Sequence, residues 1–169
     1  MAMAAVERAS VALGREGNVG RWSAIQRSYV QRDWWQVQHA TTLFAVGFAA
    51  SATGNPSSVG VQGGTAWACQ MFLERWCSQE RDSEKRVNWW SWKPAPLFFF
   101  FMHKNGGDGI TGWSQVEVKS SCAGQLTNVR WRSIESPPPP QGGYCGIGSR
   151  EINEDGRQAV IHLFEGISG

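Results

Sequence analysis

The sequence has few charged residues and no long apolar run. Charged residues make up 18% of its 169 positions, against about 25% in an ordinary soluble domain. The net charge is only +2, and because the two signs are interspersed, nothing selects a nucleic acid or an anionic membrane as partner. The most apolar windows, 41–53 and 94–102, are shorter than the roughly 20 residues that cross a bilayer. We therefore expect no transmembrane span.

The sequence also lacks the signatures of catalysis and cofactor binding. It contains no CxxC, no HxxxH, no Walker pattern and no GxGxxG between a strand and a helix. The absence of these motifs excludes the commonest kinds of zinc, nucleotide and dinucleotide site. Cys145 lies in the glycine-rich stretch GGYCGIG, but no neighbouring residues mark it as a nucleophile. The sequence therefore predicts a protein with no cofactor, no metal site and no enzymatic activity.

The N-terminus and the cysteines favour an intracellular protein. Residues 1–20 are expected to be a flexible N-terminus, and Glu7 and Glu16 beside a short apolar stretch make a poor secretory signal. The four cysteines are too sparse for a disulfide scaffold, and their spacing cannot choose among three possible pairings. Free, reduced thiols are the favoured interpretation, ahead of disulfides and of a metal site assembled from distant residues.

Aromatic residues are what the sequence does have, since 10 of its residues are tryptophan. One indole side chain covers roughly 150–250 Å², which is worth roughly 4–6 kcal/mol when it is fully buried. Arginine supplies nearly all the positive charge, and Phe98–Phe101 and Pro137–Pro140 are homopolymers. Nucleotide composition therefore suggests a young or weakly selected reading frame, with an ordinary aromatic-rich domain as the equal alternative.

The first half of the sequence predicts helices. Apolar residues recur every three or four positions from Trp22 through Ile25 and Tyr29 to Val37, which indicates an amphipathic helix. The apolar run 43–50 that follows is either a buried helix or a core strand, and 51–64 has the composition of a loop. Thr65 is a plausible N-cap for a second helix, whose apolar side carries Trp67, Met71, Phe72 and Trp76.

The second half predicts strands. Segments 87–102 and 110–119 flank a glycine-rich turn, as in a hairpin, and Pro94 and Pro96 restrict the first segment to an edge strand or an irregular extended run. In the next segment Val129 and Trp131 alternate with arginines, so this segment is expected to be another strand. The proline run should be a polyproline II linker, and 157–167 fits a terminal strand or a short helix.

These elements predict an α+β fold, with a largely disordered or molten chain as the alternative. A single candidate domain covers 21–135, helical over 21–86 and strand-rich over 87–135. A proline-rich linker at 136–143 then leads to a C-terminal segment at 144–169.

The candidate interaction surface is an aromatic patch formed by Trp89, Trp90, Trp92, Phe98 and Phe100. Three indoles within four residues cannot share one side of a helix or a strand, so part of their surface is expected to stay exposed. A two-sided core is the competing interpretation of the same rings. The sequence favours a non-enzymatic protein that acts through protein contacts, self-association included, with carbohydrate binding and membrane-interface association as alternatives.

Overall fold

The computed structural model describes residues 2–15, 19–50, 60–83, 91–102, 111–119 and 124–165. Over these ranges the fold is α+β, as the sequence predicts, with four helices and a mixed five-stranded sheet. The helices are α1 (Ala2–Ala12), α2 (Ala24–Val37), α3 (Thr65–Ser83) and α4 (Glu154–Glu165). The strands are β1 (Thr42–Gly47), β2 (Ala49–Ala50), β3 (Gly60–Val61), β4 (Trp92–Phe101), β5 (Gly112–Lys119), β6 (Arg130–Ser133) and β7 (Tyr144–Gly148).

The main sheet joins a parallel half to an antiparallel half. Its strand order is β6-β5-β4-β1-β7, so β6 and β7 are its two edges. Strand β1 runs parallel to β4 on one side and to β7 on the other, whereas β5 is antiparallel to both β4 and β6. Strands β2 and β3 form a separate small antiparallel pair. The parallel neighbours are distant in sequence, as parallel strands must be.

Each face of the sheet has its own hydrophobic cluster, because successive side chains of a strand point to opposite sides. Leu43, Leu97 and Phe99 point to the first face, where they belong to one large core with buried residues of α1, α2 and α3. Phe44 and Phe98 point to the second face, where they form a smaller cluster with Trp113 and two residues of α4.

The apolar run 43–50 resolves as a strand, not as a continuation of the helix. β1 lies between β4 and β7 and is buried from Leu43 to Gly47. A strand that is covered on both faces needs apolar side chains at every position, which is why this run shows no alternation.

Helix α2 forms where its periodicity predicts, but it buries a different stripe. Ser23 caps it in a reciprocal capping box with Gln26. Its buried residues are Val30, Asp33 and Val37, whereas Ile25, Tyr29 and Trp35 are 63%, 42% and 64% exposed. Packing against the other helices and the edge of the sheet therefore decides which side is covered.

Residues 1–20, expected to be a flexible N-terminus, contain helix α1. Ala5, Val6 and Ala9 are buried in the first-face core, and the helix contacts both α2 and α3. Two of these three side chains are only methyl groups, so the helix can approach its neighbours closely.

The predicted hairpin is confirmed for its two strands, since β4 and β5 pair antiparallel. Its turn lies outside the described residues. The proline-bearing strand is not at an edge, because β4 lies between β5 and β1. The prolines are accommodated because pairing with β1 begins only at Leu97 and pairing with β5 is irregular between Pro94 and Phe98.

The segment predicted as strand around Trp131 is confirmed as β6, with Val129 and Trp131 buried. The proline run is not a linker between separate units. Pro137 and Pro140 are buried, and β7 immediately after them joins the same sheet beside β1. The last apolar segment resolves as helix α4, which covers part of the second face.

Candidate functional site

The described members of the predicted aromatic patch do not form one exposed surface. Trp92 is exposed, with the Lys119 ammonium 5.2 Å from its ring centroid. Phe98 is only 5% exposed and stacks on Phe44 at 5.5 Å between ring centroids. Phe100 is half-buried, and its ring lies 5.4 Å from that of Trp113. Trp89 and Trp90 lie outside the described residues.

Cys69 and Cys145 are free thiols, as expected, but they are poor nucleophiles. Both are buried, and burial raises the pKa of each thiol. The negative charge of Asp33 raises the pKa of Cys145 further. A thiolate is the reactive form of cysteine, and burial disfavours it at both residues. Cys77 is also buried, and Cys122 lies outside the described residues.

The histidines offer no catalytic arrangement in the described part of the chain. His39 is exposed, and His162 is exposed on α4, where its Nε2 lies 3.8 Å from Glu165. His103 lies outside the described ranges. Within those ranges no three His, Cys, Asp or Glu side chains are grouped to hold a metal ion, and no helix is long and apolar enough to cross a bilayer.

A groove of about 830 Å³ opens at the carboxyl end of β7, the edge strand parallel to β1. After β1 the chain leads to α3 on the first face, and after β7 it leads to α4 on the second face. Connections that diverge in this way leave a crevice at the carboxyl ends of parallel strands, which is where open α/β sheets bind ligands. We call this space the β7 groove.

The β7 groove has three walls. One is helix α2, which contributes Gln26, Tyr29, Arg32 and Gln36 among others. The second is β7 from Gly146 with the following residues up to Glu151, and the third is the segment 62–65 that leads into α3. Helix α2 and the C-terminal half of β7 therefore line the same open space.

The aromatic rings of the β7 groove already have partners. The guanidinium groups of Arg32 and Arg150 lie 5.6 and 5.1 Å from the ring centroid of Tyr29. Trp22 packs edge-on against Trp67 with the ring centroids 4.8 Å apart. These contacts hold the rings in place and leave the groove with mixed rather than single-sign charge.

The buried carboxylate at this groove is Asp33, which is only 7% exposed. Burial raises its pKa above the ordinary value, and the neighbouring Arg32, 3.4 Å away, opposes the rise. No second carboxylate is paired with it among the described residues that line the groove, so an acid and base pair is not assembled here.

The outer edge of β7 presents unpaired backbone groups. The Thr41 N–H donates to the Gly143 carbonyl and the Ser149 N–H donates to the Val46 carbonyl, so the backbone N–H and carbonyl groups of the odd-numbered residues in this stretch point towards β1. The backbone groups of Tyr144, Gly146 and Gly148 consequently point outwards, away from β1. In the part of the chain that the structure describes, the N–H groups of Gly146 and Gly148 have no hydrogen-bond partner.

The fold itself does not need glycine at these two edge positions. A Cβ added at Gly146 or Gly148 would meet no atom within 4 Å, and neither residue has a positive φ. At Gly124, by contrast, φ is +70° and a Cβ would lie 2.8 Å from the Leu73 carbonyl oxygen. When neither the backbone conformation nor a contact within the fold requires a glycine inside a strand, that glycine marks a place where another backbone can approach closely.

No family model, curated protein or solved structure shows significant similarity to this chain.

Sequence reasoning considered the stretch GGYCGIG only as the surroundings of Cys145 and missed the edge that it forms. The signal was the period of two, which places Tyr144, Gly146 and Gly148 on one side and Cys145 and Ile147 on the other. The sequence alone does not show that this segment is an edge strand, because the period of two does not determine the order of the strands in the sheet.

Proposed function

We propose that this protein is a non-enzymatic protein-binding protein that pairs an extended segment of a protein partner with the free edge of β7. The observation that carries the proposal is the outward-facing backbone of Gly146 and Gly148 beside an open groove. An extended chain adds to such an edge by main-chain hydrogen bonds, and neighbouring side chains then supply specificity.

The two edges of the sheet differ in a way that supports β7 as the binding edge. β6 carries the exposed cations Arg130 and Arg132, and charged side chains on an edge strand discourage pairing. β7 carries Tyr144 and two glycines on its outward positions and no charged residue. The edge that lacks this protection is also the edge beside the groove.

The β7 groove is less suited to binding a carbohydrate than to binding an extended peptide. Sugar binding by aromatic residues needs a ring face that is free to stack. The Tyr29 ring is approached by two guanidinium groups, and Trp22 packs on Trp67. Trp35 is largely exposed, but it is not among the residues that line the groove.

The proposal is tested with fluorescein-labelled synthetic heptapeptides of alternating valine and threonine, titrated with the protein and followed by fluorescence anisotropy. In the Gly148→Pro variant one outward N–H is lost, while the ladder to β1 is kept because Ile147 and Ser149 supply it. We expect this variant to bind the peptides at least about tenfold more weakly, since a lost hydrogen bond and the steric bulk of the ring act together.

The matched control is Ser133→Pro on the opposite edge. The Ile134 N–H donates to the Trp113 carbonyl, so the Ser133 N–H points away from β5 and its loss leaves that ladder intact. Peptide affinity should be unchanged in this variant. Equal weakening by both prolines, or no peptide binding by the wild type at concentrations where it is monomeric, would contradict the proposal.

A further inference from the structure

We infer that the strand that pairs with β7 is the β7 strand of a second copy, antiparallel, with Gly146 on the two-fold axis. The inference rests on the proposed function and names its partner. A symmetric pair uses the same surface on both subunits, so the surface must complement itself. The β7 edge meets that requirement in its backbone, its side chains and its charges.

The backbone complements itself because the outward residues are evenly spaced about Gly146. Tyr144 lies two positions before Gly146, and Gly148 lies two positions after it. Antiparallel pairing centred on Gly146 therefore places each outward residue opposite another outward residue. The two Gly146 residues exchange their N–H and carbonyl hydrogen bonds across the axis.

The side chains complement each other because the same register sets Tyr144 opposite Gly148 of the second copy. Tyr144 is 44% exposed, and its ring rests against Phe44 and Phe164 on the second face of the sheet. Gly148 offers a strand surface with no side chain, over which the ring can extend. An aromatic residue across from an edge glycine is a stabilising cross-strand pair.

Exposed apolar side chains flank this edge on both faces of the sheet. The two-fold axis of an antiparallel pair is perpendicular to the sheet, so each helix stays on the same face as its copy. Phe164 and Ile161 of α4 are 39% and 48% exposed on the second face. On the first face, Tyr29 of α2 lines the groove and is 42% exposed. Association covers apolar surface of this kind.

The charges next to β7 do not oppose the pairing. Arg150 and Glu151 follow the strand, and the antiparallel register faces them with Gly142 and Gln141 of the second copy. This register therefore sets neither Arg150 nor Glu151 opposite a like charge, and the net charge of +2 is a weak barrier to self-association.

The oligomeric state is measured by sedimentation velocity over a concentration series of the full chain. We expect the wild type to sediment as a dimer at high concentration. Gly148→Pro should raise the dissociation constant of this dimer at least about tenfold, whereas Ser133→Pro should leave it unchanged. A wild type that remains monomeric at its highest soluble concentration would overturn the inference.

The register is tested by two cysteine variants. Gly146→Cys places a thiol on the axis, where the two Cα atoms lie about 5.5 Å apart, within reach of a disulfide. Gly148→Cys is the matched control, because its two copies are offset by four residues, or roughly 13 Å, beyond that reach. Non-reducing electrophoresis after mild oxidation should show a covalent dimer for Gly146→Cys only, with the wild type as the background of the native thiols.

The outcomes separate this inference from the proposed function. Peptide binding that is sensitive to Gly148→Pro in a strictly monomeric protein would refute the second copy and retain the binding edge. A dimer that cross-links equally through both cysteines, or that ignores Gly148→Pro, would refute the β7 pairing. Loss of both peptide binding and dimerisation would remove the two proposals together.

Discussion

The two faces of the central sheet are covered to very different extents. The first face packs against α1, α2 and α3, and its core includes side chains with no exposure, such as Phe72, Phe99 and Phe101. Among the described residues, α4 is the one helix packed over the second face, and the cluster there is small. Further along that face, Glu117 lies between Arg130 and Arg132 at 3.5 and 3.2 Å. The first face is therefore a buried core, whereas part of the second face is exposed to solvent.

The difference explains how the chain combines a buried core with exposed apolar residues. Burial against three helices on one side supplies most of the hydrophobic free energy. The other side and the β7 edge are then free to keep Tyr144, Ile161 and Phe164 exposed. A comparison of substitutions on the two faces tests this division.

The largest expected effect comes from adjacent phenylalanines on opposite faces. Phe99→Ala should lower the free energy of unfolding by about 4–5 kcal/mol, because its ring packs against both Phe101 and Trp131. Phe98→Ala should lose less, about 3 kcal/mol, because its stacking partner Phe44 lies in the smaller cluster. Urea unfolding monitored by circular dichroism measures both. Equal losses would show that the second face is as much a core as the first.

A smaller effect is expected where α4 rests on the second face. A Cβ at Gly156 would lie 2.6 Å from Met102 Sδ and 2.8 Å from Ile152 Cγ1. Gly156→Ala should therefore cost about 1–3 kcal/mol by overpacking, although alanine is the better helix former. Hydrogen exchange should locate the loss in α4. The control is Gly20→Ala, where a Cβ meets nothing within 4 Å; a gain in stability at Gly156 would mean that α4 is not held closely.

The smallest effect concerns the buried carboxylate of Asp33 beside the first-face core. Its folded-state pKa is raised above 3.8 because of burial, so protonation of Asp33 stabilises the folded state relative to the unfolded state. This contribution to the free energy of unfolding is complete below pH 3.8 and is lost as the pH rises through the folded-state pKa. Asp33→Asn should stabilise the protein at neutral pH by less than about 1 kcal/mol.

The pH dependence distinguishes this cause from a simple packing change. The stability difference between Asp33→Asn and the wild type should close when the pH falls below 3.8. Thermal unfolding at a series of pH values measures it. A difference that persists in acid would show that ionisation of Asp33 is not responsible.

Local patterns predicted much of the secondary structure. The alternation around Trp131 and the glycine-rich stretch between the two apolar segments predicted the strands found at 130–133, 92–101 and 112–119. The helix after Thr65 begins at that residue. The sequence could not decide whether 43–50 was helix or strand, because an apolar run that is buried all round has no period to distinguish them.

The candidate site was much less predictable. Phe98 was expected in an exposed patch, yet it is buried because Phe44 of β1 stacks on it. The Gly146 and Gly148 edge was not recognised, since an edge exists only relative to the order of the other strands. Tryptophan density indicated that aromatic surface would matter, but not which rings would remain outside.

The sequence by itself determined the α+β class, the extended segments and the start of α3 to within one residue, because these depend on side-chain periodicity and composition within a few neighbouring residues. Only the tertiary structure decided that β4 is central, that α2 exposes Ile25 and Trp35, and that β7 is an edge. Those outcomes depend on contacts between segments that are far apart in the chain, such as Leu43 paired with Cys145. A long-range pairing of this kind chooses one arrangement among several that the same local patterns allow.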